Sequence, residues 1–181
     1  MQNHKRKLPT LFDSGALITS AKFRVRGKLI IDYLVDGCRI ILSPEVKHET
    51  IDMGLLFDYQ DAQDLAERLN TGSFQVLDTA IRDHELESAL TALGLENADC
   101  AAIHTYKQMS KQTKLITDDH KLFICATRLG LSVIFLPDLI LMLVNKGYMK
   151  ASLATEIFEA MQPRYARGFI VLSLKLLKGV I

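Results

Sequence analysis

Tryptophan is absent from this chain, and its 5 tyrosines and 8 phenylalanines show no spacing suited to stacking RNA bases. Three cysteines, Cys38, Cys100 and Cys125, are few, far apart and odd in number. They argue against a disulfide framework and for reduced thiols in a cytoplasmic protein. No CxxC or HxxxH spacing supports a zinc site. The glycines form neither a GxGxxG nor a GxxxxGK[ST] loop, which disfavours dinucleotide and P-loop nucleotide binding. Ser14–Gly15 is no GxSxG nucleophile elbow, and no Ser–His–Asp order emerges. An apolar run of about 18 residues is missing too, so no spanning helix is implied. The N-terminus MQNHKRKLPTLFD opens basic, but Asp13 cuts its apolar stretch too short for a signal peptide.

What is present describes an ordinary soluble domain. The 181 residues, 49% hydrophobic and 24% charged, can bury a substantial core as one unit. The net charge of +1 hides an asymmetry. Lys5, Arg6, Lys7, Lys22, Arg24, Arg26 and Lys28 face a single acid, Asp13, within the first 30 residues, whereas acids outnumber bases roughly four to one between 45 and 99. A basic N-terminal region can meet a polyanion even in a nearly neutral protein, or it can simply be a solvated face.

Short apolar runs alternate with longer helical patterns. Strands are expected at 8–13, 39–43, 74–78, 114–117 and 131–136. Helices are expected at 14–23 with Ser14 as N-cap, 44–54 opening on Pro44, 58–72, 81–94, 95–112, 118–130, 137–147 and 149–162, with a last apolar stretch at 169–181. This order predicts an α/β fold, a central parallel sheet of about five strands flanked by helices through right-handed crossovers. An α/β unit over 8–147 would carry a helical C-terminal extension, 148–181, packed on the same domain.

In open parallel sheets, function gathers at the carboxyl ends of the strands. The first strand ends in Asp13 and the fourth in Thr117, Asp118 and Asp119; Glu45 and Glu49 follow the second, and Glu96 and Asp99 open the helix near 95. Four segments can thus deliver carboxylates to one edge of the sheet. Converging carboxylates repel unless a cation compensates, and hard Mg²⁺ or Mn²⁺ suits oxygen ligands. Such a site is fitted to phosphodiester hydrolysis. Each acid also has a plainer role, as an N-cap, a first-turn acid on the helix dipole or a surface charge. A phosphatase of the DxDx(T/V) type is disfavoured, because position 15 is glycine.

The stretches LFDSGALI (11–18), SPEVKHET (43–50), ENADCAAI (96–103) and LITDDHKLFICATRLGLSVI (115–134) resemble a PIN domain, the fold of the VapC-type toxin ribonucleases. The similarity extends more weakly through NKGYMKASLATEIFEAMQ (145–162), as in the tail of an uncharacterised prokaryotic PIN subgroup. The resemblance implies a metal-dependent endoribonuclease, with Asp13, Glu49, Asp99 and Asp119 as the four catalytic acids. It further implies Asp13, Asp99, Asp118 and Asp119 as ligands of Mg²⁺ or Mn²⁺. Ser14, Thr117 and Glu96 would support them, and Lys22, Arg24 and Lys121 are candidates to contact RNA phosphates. The implied partners are an RNA substrate, a small antitoxin and a second copy in a homodimer, with no membrane. A non-catalytic RNA- or protein-binding module and a structure-specific DNA nuclease are the alternatives, since no residue visibly reads a 2′-OH.

Overall fold

The computed structural model describes residues 6–77 and 81–179. Lys5, Asp78 at the end of the expected third strand, and the last two residues of the apolar tail lie outside them. Strands β1 (Leu8–Phe12), β4 (Cys38–Leu42), β5 (Phe74–Val76), β6 (Lys114–Thr117) and β7 (Val133–Phe135) form one five-stranded parallel sheet in the order β5-β4-β1-β6-β7. β1 is central, with Leu11 in register with Ile41 of β4 and Leu115 of β6. The chain builds outward from β1 through β4 to β5, then returns to the other side of β1 for β6 and β7. A reversal of this kind opens a crevice at the carboxyl ends of β1 and β6.

Strand residues point alternately to opposite faces, and this divides the core in two. Phe12, Ile40, Leu42 and Ile116 pack with α1 (Ser14–Lys22), α2 (Ile30–Gly37), α5 (Gln60–Asn70) and α9 (Leu136–Asn145). Leu11, Ile41 and Leu115 face α6 (His84–Ala92), α7 (Asn97–Lys107) and α8 (His120–Arg128). Both faces are covered, so the strands read as continuous apolar runs. Helices α10 (Ala151–Ala160) and α11 (Arg167–Gly179) pack on α9 and on each other, and their Ile157, Phe158, Ile170 and Leu177 join the core that holds Phe12.

Three features depart from the pattern expected. Residues 24–37 hold a short hairpin, β2 (Arg24–Val25) and β3 (Lys28–Leu29), followed by α2, where no element is expected. Its two-residue turn places Arg26 and Gly27 at φ 49° and 79°, and strands of two residues are too short for alternation to be legible. The helix expected over 44–54 is α3 (Pro44–Lys47), a π turn (His48–Asp52) and α4 (Met53–Leu56). The third concerns α1, which is capped by Asp13 rather than Ser14: Oδ1 of Asp13 accepts from Ala16 N–H at 2.7 Å.

Candidate active site

The crevice at the carboxyl ends of β1 and β6 contains a cavity of about 250 Å³ lined by Asp13, Glu49, Glu96, Asp99, Asp118 and Asp119, with Ser14, Lys121 and Arg164 at its walls. Four stretches of chain supply these acids and the Ser14 hydroxyl. Asp13 follows β1, and Asp118 and Asp119 follow β6. Glu49 sits in the π turn, and Glu96 and Asp99 open α7. Several acids here also serve as helix caps. Asp119 Oδ1 accepts from Leu122 N–H at 2.8 Å, and Asp99 Oδ2 accepts from Glu96 N–H at 3.1 Å. Three helix N-termini therefore open on the cavity; Asp99 and Asp119 each spend one oxygen on the helix and leave the other to the cavity, while Asp13 gives its Oδ1 to Ala16 N–H.

Asp13 is the most buried of the acids, 3% exposed. The Thr117 hydroxyl and the Asp118 N–H, the latter at 3.3 Å, both donate to its Oδ2. Burial nonetheless pushes its carboxyl from 3.8 up to about 7, against the pull of these donors and with a further push from the neighbouring charge of Asp118. Asp99 is pushed up to about 6, first by burial and then by the charges of Asp119, Glu96 and Glu49. At both positions burial is the larger cause, and the neighbouring carboxylates add to it.

Glu49 is exposed, and its Oε2 accepts from the Ser14 hydroxyl at 2.7 Å, which ties the π turn to the start of α1. A π turn widens the backbone locally, and such insertions recur at functional positions. Asp118, like Asp13, accepts on both oxygens, but from two side-chain hydroxyls: Thr19 donates to its Oδ2 at 2.8 Å and Tyr165 to its Oδ1 at 2.5 Å. Both oxygens are thus engaged, and burial raises its carboxyl above the usual range.

The structure gathers Asp13, Ser14, Glu49, Glu96, Asp99, Asp118, Asp119 and Lys121 at one cavity, with Thr117 directly behind Asp13. It does not bring Arg24 there. Arg24 pairs with Asp64 at 3.0 Å and lines another cavity, with Asp58 and Asp61. Lys22 lies beyond Arg164, in a neighbouring cavity. Sequence reasoning missed Thr19, Arg164 and Tyr165. Tyr165 lies 47 positions after Asp118, in the basic and aromatic stretch PRYARG, and no local pattern links the two.

Among the described residues, no three His, Cys, Asp or Glu side chains are drawn together as a ready-made metal cage. The cavity offers separate carboxylates and hydroxyls without His or Cys. That donor chemistry fits a hard cation such as Mg²⁺, which keeps several waters and takes one or two carboxylates. Among the described residues, no helix is long and apolar enough to cross a membrane.

Together these features define an α/β protein with a carboxylate-lined cleft at the topological switch point of a five-stranded parallel sheet. The family model "DUF3368: PIN domain" matches residues 12–175, and the chain belongs to the PIN-domain family. PIN domains are generally nucleases and usually use divalent metals such as Mg²⁺. No curated protein matches the chain.

Proposed function

We propose that this protein is a metal-dependent endoribonuclease. The observation that carries the reading is the convergence of Asp13, Glu49, Asp99 and Asp119 on one cavity at the sheet's carboxyl edge, with two of them pushed toward neutrality by burial and mutual repulsion. Asp13, Asp99 and Asp119 are the proposed ligands of Mg²⁺ or Mn²⁺. Glu49, held by Ser14, faces the same space and acts through water. Asp118, with both oxygens committed to hydroxyls, serves chiefly to anchor the surrounding segments. Thr117 fixes the carboxylate plane of Asp13, and Lys121 meets substrate phosphate. When bound, the cation would neutralise charge on the phosphodiester and orient the attacking water.

The test is cleavage of labelled single-stranded RNA and DNA with Mg²⁺, with Mn²⁺ and with EDTA, beside the Asp99→Asn variant. RNA cleavage that needs metal and falls about a hundredfold or more in the variant is the expected result. Cleavage that survives the substitution, or its absence in the wild type, overturns the reading. Preference for DNA would move it to a DNA nuclease.

We further read the biological setting as the toxin of a toxin–antitoxin pair. Leu55, Leu56, Phe57 and Tyr59 form a run of exposed apolar side chains, a surface that a small inhibitory protein or a second copy of this chain would cover. Growth arrest on expression of the wild type, but not of Asp99→Asn, is expected. Sedimentation tests for the homodimer.

A further inference from the structure

Arg164 reaches the acid cavity from the turn between α10 and α11, far in sequence from every acid it faces. Its Nη2 lies 3.9 Å from the point where a Cβ on Gly15 would stand, at the start of α1. Four other arginines take carboxylate partners: Arg24 pairs with Asp64, Arg26 with Glu156, Arg68 with Asp32, and Arg82 with Glu45. The Arg164 side chain forms no hydrogen bond or ion pair among the described residues, although acids surround it. The reason lies in Asp118. Its charge interacts with Arg164, but its two oxygens are already taken by Thr19 and Tyr165, so the guanidinium keeps its donors free.

Its position is nevertheless held. The adjacent Tyr165 donates to Asp118, and its ring stacks on Phe169 at 5.8 Å. Phe169 meets Phe135 edge-on at 5.6 Å, and Phe135 stacks on Phe123 of α8 at 4.4 Å. This aromatic ladder fixes the segment bearing Arg164 against the helix that starts at Asp119. Arg164 also lines a second cavity of about 250 Å³, bordered by Lys22 and Pro163. A guanidinium with unused donors on a held segment, standing between an acid cavity and a lysine-bordered one, suits a phosphate that follows the reacting one along a strand. Arginine's planar fork binds phosphate through two parallel hydrogen bonds.

We propose that Arg164 binds a backbone phosphate of the substrate strand adjacent to the acid cavity, directing that strand toward Lys22. This rests on the nuclease reading above. Arg164 would thus be a substrate-binding residue supplied by the C-terminal segment.

The test measures binding of a short single-stranded RNA and its DNA counterpart over a range of salt, with Ca²⁺ in place of Mg²⁺ to prevent hydrolysis. Arg164→Gln is expected to weaken binding about tenfold and to reduce the slope of log K against log salt by about 0.7. Arg164→Lys should keep the slope but bind a few-fold more weakly, since an ammonium retains the charge and loses the fork. Thermal midpoints should match the wild type. If the wild type binds and cleaves while Arg164→Gln keeps its affinity and slope, this inference alone fails. A lowered midpoint with an unchanged slope also overturns it, because Arg164 would then be a counter-charge for Asp118. A wild type that binds neither strand overturns both this inference and the nuclease reading.

Discussion

The Tyr165 hydroxyl donates to Oδ1 of Asp118 at 2.5 Å, joining the C-terminal segment to the end of the strand β6. Burial, followed by the charge of Asp118, pushes the phenol well above its ordinary range, so it stays a donor throughout the working pH range. Tyr165→Phe removes a hydrogen bond to a buried carboxylate. A loss of about 1.5–3 kcal/mol is expected in denaturant unfolding, with little change when Asp118→Asn is already present.

The Ser14 hydroxyl holds Glu49 at 2.7 Å on an exposed rim. Ser14→Ala frees that carboxylate without opening a core cavity. Stability should move by no more than about 0.5 kcal/mol, while cleavage falls by roughly three- to tenfold. Unfolding curves and single-turnover rates on the same preparations check this.

Asp13 gives stability a definite pH dependence. Its carboxyl is raised from 3.8 to about 7 in the folded protein, so between these values the folded state binds more protons than the unfolded one. Stability therefore falls as pH rises through this window, and Asp99, raised to about 6, adds in the same direction. A loss on the order of 2 kcal/mol between pH 5 and pH 7.5 is expected in EDTA. In Asp13→Asn the loss should be clearly smaller; an equal loss would show that Asp13 is not its source. Added Mg²⁺ should offset the loss at pH 7.5, because a cation favours the ionised carboxylates.

Gly54 sits just after the π turn, and a Cβ there would stand 2.5 Å from the Cβ of Ala62 on α5. Gly54→Ala forces these segments apart, with an expected loss of about 1–3 kcal/mol. The displacement passes to Glu49, five residues earlier, so cleavage should fall further than in a control substitution that costs equal stability elsewhere on α5.

Much of the fold is legible in local patterns. Because strands covered on both faces must be apolar throughout, four of the five sheet strands lie within the apolar runs expected for them, and β4 begins one residue earlier, at Cys38. Apolar spacing, Pro44 and the acids at helix starts mark most helices. The hairpin at 24–29 and α2 were not legible: the strands span two residues each, and the turn uses Arg26 at positive φ, where glycine or asparagine is the usual signal. The π turn was equally hidden, since a helix widened by one residue has nearly the same apolar spacing as a regular one.

The acids of the cleft were visible because strand ends and helix starts are local features, and Asp13, Asp99 and Asp119 occupy them. Their surroundings were not. Residue order marks the apolar faces of most elements and the regions where helices start, since both follow from backbone periodicity over a few positions, although the first cap is Asp13 where Ser14 is expected. It does not settle which strand lies beside which, or what a distant segment reaches. The crossovers that set β6 beside β1, and the aromatic contacts that bring Arg164 and Tyr165 to Asp118, span dozens of residues. They follow from how whole faces pack, and only the tertiary structure decided them.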